Sequence, residues 1–208
     1  MTQLRRFLFA AALLFNGAGH AESLLFIATS PVPPGKFHTV AEVGAKYGFK
    51  VESRFAERLT PAESEKLLTA HDAVFFDAAR SHMQDAIKNR LEKALPALKA
   101  PNIWMRDNGP LASGFPKETA ERLHAYYTNG GRRNFEGFFK TLAAHRRGEP
   151  LASIAPPFVF PDAAVYHPKA PNSVFATPAE YFRWKGIAPA KRPPTIAIAF
   201  HQIYIGAE

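Results

Sequence analysis

Between Ser23 and Leu111 short apolar runs alternate with amphipathic stretches, and that alternation restricts the chain to few architectures. Leu24 to Ala28 is a continuous apolar run closed by Thr29-Ser30-Pro31, as expected of a strand buried on both faces. A loop holding Pro33, Pro34 and Gly35 follows. Val40, Val43 and Tyr47 then line one face of a helix that Gly48 stops. Phe49, Val51, Ser53 and Phe55 alternate as a second strand. Thr60-Pro61-Ala62-Glu63 is a capping box, with Thr at the N-cap, Pro at the first helical position and Glu two residues beyond it. Leu67 and Leu68 give that helix its buried side. Ala73 to Phe76 is a third strand, ending at Asp77. Ser81, with Gln84 at the third helical position, opens the strongest helix: Met83, Ile87, Leu91, Leu95 and Leu98 repeat at helical spacing, and Pro96 kinks or ends it. Ile103 to Met105 is a fourth strand, finishing at Arg106-Asp107-Asn108-Gly109-Pro110. Four strands separated by helices predict an α/β domain over residues 22–114, built on an open, mostly parallel, doubly wound sheet of the flavodoxin/Rossmann-like kind.

Beyond Leu111 the strand signal fades. Residues 115–148 read as a helical segment. Leu123 and Tyr127 share a face, Gly130-Gly131 ends the first helix, and Asn134 caps a second whose Phe135, Phe138, Phe139 and Leu142 form an apolar stripe that reads as core. Residues 149–194 are a Pro-rich connector, with six prolines from Pro150 to Pro171. Inside it, Thr177-Pro178-Ala179-Glu180 opens a short helix with Tyr181 and Trp184 on one face. Thr195 to Phe200 is a further apolar strand. It either joins the first sheet or makes residues 195–208 the first strand of a truncated second α/β unit, since a lone strand cannot bury both faces.

With 47% hydrophobic residues and 12% aromatics, the 208-residue chain has the means to bury a proper core, which excludes a disordered class. A formal charge of +8 suits a nucleic acid, an anionic lipid surface or a polycarboxylate ligand. No RNP-like, zinc-finger or Gly-rich RNA motif accompanies the charge, and Lys and Arg are scattered, so no nucleic-acid partner is expected. The absence of cysteine excludes disulfides, Cys-type zinc sites and a thiolate nucleophile. Residues 1–21 read as a signal peptide: Arg5 and Arg6 form a basic start, Phe7 to Phe15 an apolar core, and Gly19-His20-Ala21 a small-residue cleavage site. The apolar core falls short of the roughly 20 residues that span a bilayer. The chain is therefore expected to be exported to the periplasm, with no membrane span after cleavage.

Ligands of open α/β sheets bind outside the carboxyl ends of the strands. That rule selects Thr29, Ser30, Asp77, Arg106 and Asp107, and His201 if its strand joins the sheet. Asp77 and Asp107 are candidate paired carboxylates for a metal. The loop after the first strand has neither the G-x-G-x-x-G spacing nor the GK[ST] of a nucleotide site. No H-x-x-x-H pair, HExxH motif or G-x-S-x-G elbow is present. His38 reads as a cap or surface group, and His71, His82, His124 and His145 as surface residues. His167, held between Tyr166 and Pro168, is the best candidate metal ligand or macrocycle contact; its alternative is a half-buried histidine bonded to a carbonyl.

The Tyr166-His167-Pro168 run followed by Ala170-Pro171, an aromatic-rich helix, a Pro-rich gap and an apolar strand resembles the large subunit of cobaltochelatase and magnesium chelatase, the CobN family. Tyr126-Tyr127-Thr128-Asn129-Gly130-Gly131, leading through Asn134 into a helix, resembles the same family. The likeness is to the N-terminal part of a longer subunit. It implies a tetrapyrrole ligand, corrinoid or porphyrin, and cobalt or another divalent metal as the substrate inserted. ATP would be hydrolysed only by separate AAA+ partner subunits. Tyr166, His167 and Asn134 match the family pattern and, with Arg106, Asp107 and His201, are the candidate substrate-binding residues; the resemblance places catalytic residues beyond Glu208. The leader suggests an alternative, an exported relative that binds haem, corrinoid or metal without ATP-driven insertion.

Overall fold

The computed structural model describes residues 21–161, 163–167, 169–170 and 174–188. The leader, the strand expected at 195–208 and His201 lie outside the described residues.

Strand β1 (Glu22–Ala28) carries five successive buried residues, and helix α1 (Pro34–Lys46) follows with Pro34 in its first turn. The helix thus starts inside the stretch expected to be loop, because proline costs nothing where the first N–H groups lack partners anyway. Strand β2 (Phe49–Phe55) pairs with β1 in parallel. Helix α2 (Pro61–Ala70) opens on the expected capping box: the Glu63 N–H donates to Thr60 Oγ1, and the Thr60 N–H donates to Glu63 Oε2 at 2.8 Å. Strand β3 (Ala73–Asp77) is buried throughout and leads into α3 (Ser81–Leu91). Ser81 is not the cap of that helix. Arg80 holds the cap position and offers no side-chain bond. The helix also stops at Leu91, and Leu95–Ala97 form a separate 3-10 turn ahead of β4 (Asn102–Met105). One strand went unforeseen. β5 (Leu111–Ser113) returns antiparallel to β4 through the turn at Gly109, whose φ is 103°, and three exposed residues leave no alternation to read.

The sheet order is β2-β1-β3-β4-β5, parallel except for β5. Alternate strand residues serve opposite faces. Leu24, Phe26 and Phe75 pack against α1 and the hairpin of α4 (Lys117–Asn129) and α5 (Gly131–Arg147). Leu25, Ile27, Val74 and Phe76 pack against α2 and α3. This is the open, mostly parallel α/β sheet that the strand and helix alternation predicts.

The α4–α5 hairpin turns on a single residue, Gly130, at φ 64°. Such a backbone is strained for any residue with a Cβ. The two helices then approach so closely that a Cβ on Gly137 would lie 2.2 Å from the Tyr126 ring. Asn134, expected to cap α5, sits inside it, because the helix begins three residues earlier at Gly131. The Phe stripe of α5 does form core: Phe138 meets Phe75 edge-on at 5.2 Å and Phe26 at 6.1 Å.

The chain then runs along the hairpin as an irregular strap and ends, among the described residues, in a small module. A ribbon of β6 (Val165–Tyr166) and β7 (Val174–Phe175) lies beside α6 (Pro178–Trp184). Thr177 accepts from the Glu180 N–H as expected of an N-cap, but Glu180 reaches back to the Ala176 N–H rather than to that of Thr177. No residue of α6 is fully buried.

Phe138 is fully buried between sheet and hairpin. Phe138→Ala should destabilise the fold by about 3–5 kcal/mol, read as a lower urea midpoint at an unchanged slope; a loss under about 1 kcal/mol would show that the hairpin does not complete this core.

Candidate functional site

Strand β1 leads into α1 on one face of the sheet, and its neighbour β3 leads into α3 on the other. The chain therefore diverges at the carboxyl ends of these two strands, and the gap left there is where open α/β sheets take ligands. A cleft of about 560 Å³ opens at this point.

Its floor is Asp77, the last residue of β3 and 6% exposed. Lys36 Nζ donates to Asp77 Oδ2 at 2.8 Å, and the Tyr127 hydroxyl donates to the same oxygen at 2.9 Å. The ammonium also stands 4.0 Å from the centroid of the Tyr127 ring, within cation–π range. Lys36 is in the first turn of α1, where the helix dipole disfavours a cation, and the buried carboxylate offsets that cost. Burial raises the Tyr127 hydroxyl well above the ordinary tyrosine range, and the Asp77 charge and hydrogen bond raise it further. Tyr127 therefore stays protonated and acts as a donor.

The walls are apolar, with Val32, Met83, Met105 and Phe135. The rim is polar, with Arg80, His82, Asp107 and the Gly130-Gly131 start of α5. That helix has no side-chain cap and no acid in its first turn.

The residues selected from the sequence divide sharply. Asp77 and Asp107 line the cleft. Thr29 is buried at the end of β1, and Ser30 turns away to bond Glu57 Oε1 through its N–H at 2.9 Å. Arg106 folds into the β4–β5 turn, donating from Nε to the Gly109 carbonyl at 3.1 Å. Asn134, 1% exposed, works on the opposite side of its helix: its amide exchanges two 2.8 Å bonds with the Phe158 backbone and donates a third to the Gly130 carbonyl. Arg122 and Tyr126 donate to the carbonyls of Ile154 and Ala155, so the same face of the hairpin holds the strap at several points. Tyr166 and His167 lie in the terminal module. The Lys169 N–H donates to His167 Nδ1 at 3.2 Å, which places the ring proton on Nε2, and the ring packs 4.9 Å from Trp184. No group of three or more His, Asp or Glu that could hold a metal ion occurs among the described residues.

Three histidines expected at the surface are half-buried, and two of them are hydrogen-bonded. His71 Nδ1 meets the Leu67 carbonyl at 2.8 Å, His124 Nε2 meets that of Arg106 at 2.6 Å, and His145 packs on Phe115. Lys36, Tyr127 and Arg80 were missed as site residues. The one local sign was a lysine in the first turn of a helix that follows a buried strand.

Residues 124–208 match the CobN/Magnesium Chelatase family. Over these residues the chain is similar to that family. The CobN-like stretch supplies Tyr127, Gly130, Gly131 and Phe135 to the cleft, while Lys36 and Asp77 come from the sheet and helix before it. A similar solved structure is the catalytic subunit of cobaltochelatase from Mycobacterium tuberculosis, with a TM-score of 0.48 and 16% identity. The match covers 74% of this chain and 13% of that one. No curated protein sequence matches the chain.

Asn134→Ala should cost about 1–3 kcal/mol and speed proteolytic cleavage within residues 150–161; cleavage at the wild-type rate would show that the amide does not hold the strap. Tyr127→Phe tests the floor through pH. The folded hydroxyl titrates above its unfolded value, so its contribution is present below about pH 10 and lost as pH rises further. The variant should lose about 1–2 kcal/mol near neutrality and show a shallower alkaline decline than the wild type in urea titrations.

Proposed function

We propose that this chain is the N-terminal part of a CobN-like chelatase large subunit. In this reading it binds a tetrapyrrole, corrinoid or porphyrin, so that a divalent metal such as cobalt is inserted into the ring. The observation that carries the proposal is the family match over residues 124–208, together with the position of that stretch at the cleft. A tetrapyrrole has apolar faces and a polar periphery, and the cleft has apolar walls over a polar floor. Its volume of about 560 Å³ suits a peripheral arm and the adjoining edge of a ring, with the remainder of the macrocycle over the rim. ATP hydrolysis is assigned to AAA+ partner subunits. Export is part of the proposal too, supported by the basic start, apolar core and Gly19-His20-Ala21 ending of the leader.

Titrating a metal-free corrinoid or porphyrin into the full chain should quench tryptophan fluorescence and saturate. Thr128 is exposed at the cleft mouth, and Thr128→Trp, read by the ligand's own absorbance, should weaken binding at least about tenfold without unfolding the protein. Absence of saturable binding would sink the reading, and wild-type affinity in the variant would move the ligand elsewhere on the chain. N-terminal sequencing of protein recovered from a periplasmic extract should begin at Glu22; a cytoplasmic protein beginning at Met1 would refute export.

A further inference from the structure

The floor of the cleft is a closed charge pair with bonding capacity left over. Both bonds to Asp77 fall on Oδ2, and Oδ1 has no hydrogen-bond partner among the described residues. An ammonium carries three N–H groups. Lys36 uses one on Asp77 and sets its charge over the Tyr127 ring, which leaves donor capacity for the cleft that it lines. A donor and an acceptor therefore stand together on a floor whose charges cancel, and the two side chains are only 12% and 8% exposed.

That arrangement discriminates by charge. A carboxylate reaching Lys36 brings a second anion beside Asp77, and an ammonium or amidinium reaching Asp77 brings a second cation beside Lys36. Either leaves one charge uncompensated where water is scarce. A neutral group that accepts from Lys36 and donates to Asp77 Oδ1 keeps the pair intact and satisfies both atoms. We propose that the cleft holds its ligand through an uncharged donor–acceptor group, of which a primary carboxamide is the simplest, seated on Lys36 and Asp77 with a flat apolar body between Met83, Met105 and Phe135. The thioethers suit an aromatic edge. This inference stands on the cleft alone and does not require a macrocycle to enter it.

Benzamide, benzoate and benzamidine share one shape and differ in charge, so they test the floor directly. The chain has three methionines, and Met83 and Met105 line the cleft. Labelling their methyl groups with carbon-13 in the full chain gives two NMR reporters in the site. Benzamide is expected to shift both and to bind at least about tenfold more tightly than either charged probe. Equal or tighter binding of benzoate or benzamidine, or no shift with any of the three, overturns the proposal. Asp77→Asn keeps the shape and leaves Lys36 as the lone charge, which should reverse the order in favour of benzoate. An unchanged order in the folded variant would remove the floor from these two residues, and the wild-type titrations decide the matter whether or not that variant folds.

Discussion

A carboxylate buried at the end of a central strand must be paired, and Asp77 draws its partners from two separate helices. Removing one partner from such a pair costs about 3–5 kcal/mol, because it strands a charge in low dielectric. Lys36 brings the first turn of α1 over the end of β3, and Tyr127 brings the last turn of α4 to the same oxygen. Once these meet, the cleft is defined. Its floor is the pair, its back the ends of β1 and β3, and its side the turn at Gly130.

The hairpin that delivers Tyr127 is itself held by close approach. Gly130 makes a one-residue turn in a backbone that favours glycine, and Gly137 lets the Tyr126 ring lie where a Cβ would stand. Tyr126 and Tyr127 then point to different tasks. Tyr126 donates to the Ala155 carbonyl on the strap, and Tyr127 to Asp77 in the cleft. With Asn134 holding Phe158, the hairpin anchors the strap on one side and builds the cleft on the other.

The family match begins at residue 124, within α4, yet the core does not divide there. Leu123, Tyr127 and Phe138 pack with Phe26 and Phe75 of the sheet in one cluster. Whatever the CobN-like stretch binds in this cleft is therefore bound jointly with residues that precede the match. The module holding Tyr166 and His167 is different in kind. Its rings pack on one another, as His167 does on Trp184 and Phe175 on Tyr181, and none of those four residues is fully buried.

The local elements were legible in the sequence because their causes are local. Strand runs such as Leu24 to Ala28, the Thr60–Glu63 capping box, the Gly48 stop and the Phe stripe of α5 depend on residues within a turn or two of each other, and each stands as read. Where local rules competed, boundaries slipped. A serine before an apolar run looks like a cap, but α3 starts on Ser81 itself, and Asn134 is needed for the strap rather than for a helix end. The three-residue β5 has no pattern to read and exists only because β4 is beside it. The strand-end rule found Asp77 and Asp107 without their surroundings. Lys36 and Tyr127 stayed hidden because they lie 41 and 50 residues from Asp77, and no sequence period spans such separations. Residue pattern alone determined an open α/β sheet and the strand ends where a ligand would bind. Only tertiary packing decided which strand end holds the site, because a buried charge selects its partners by proximity in space.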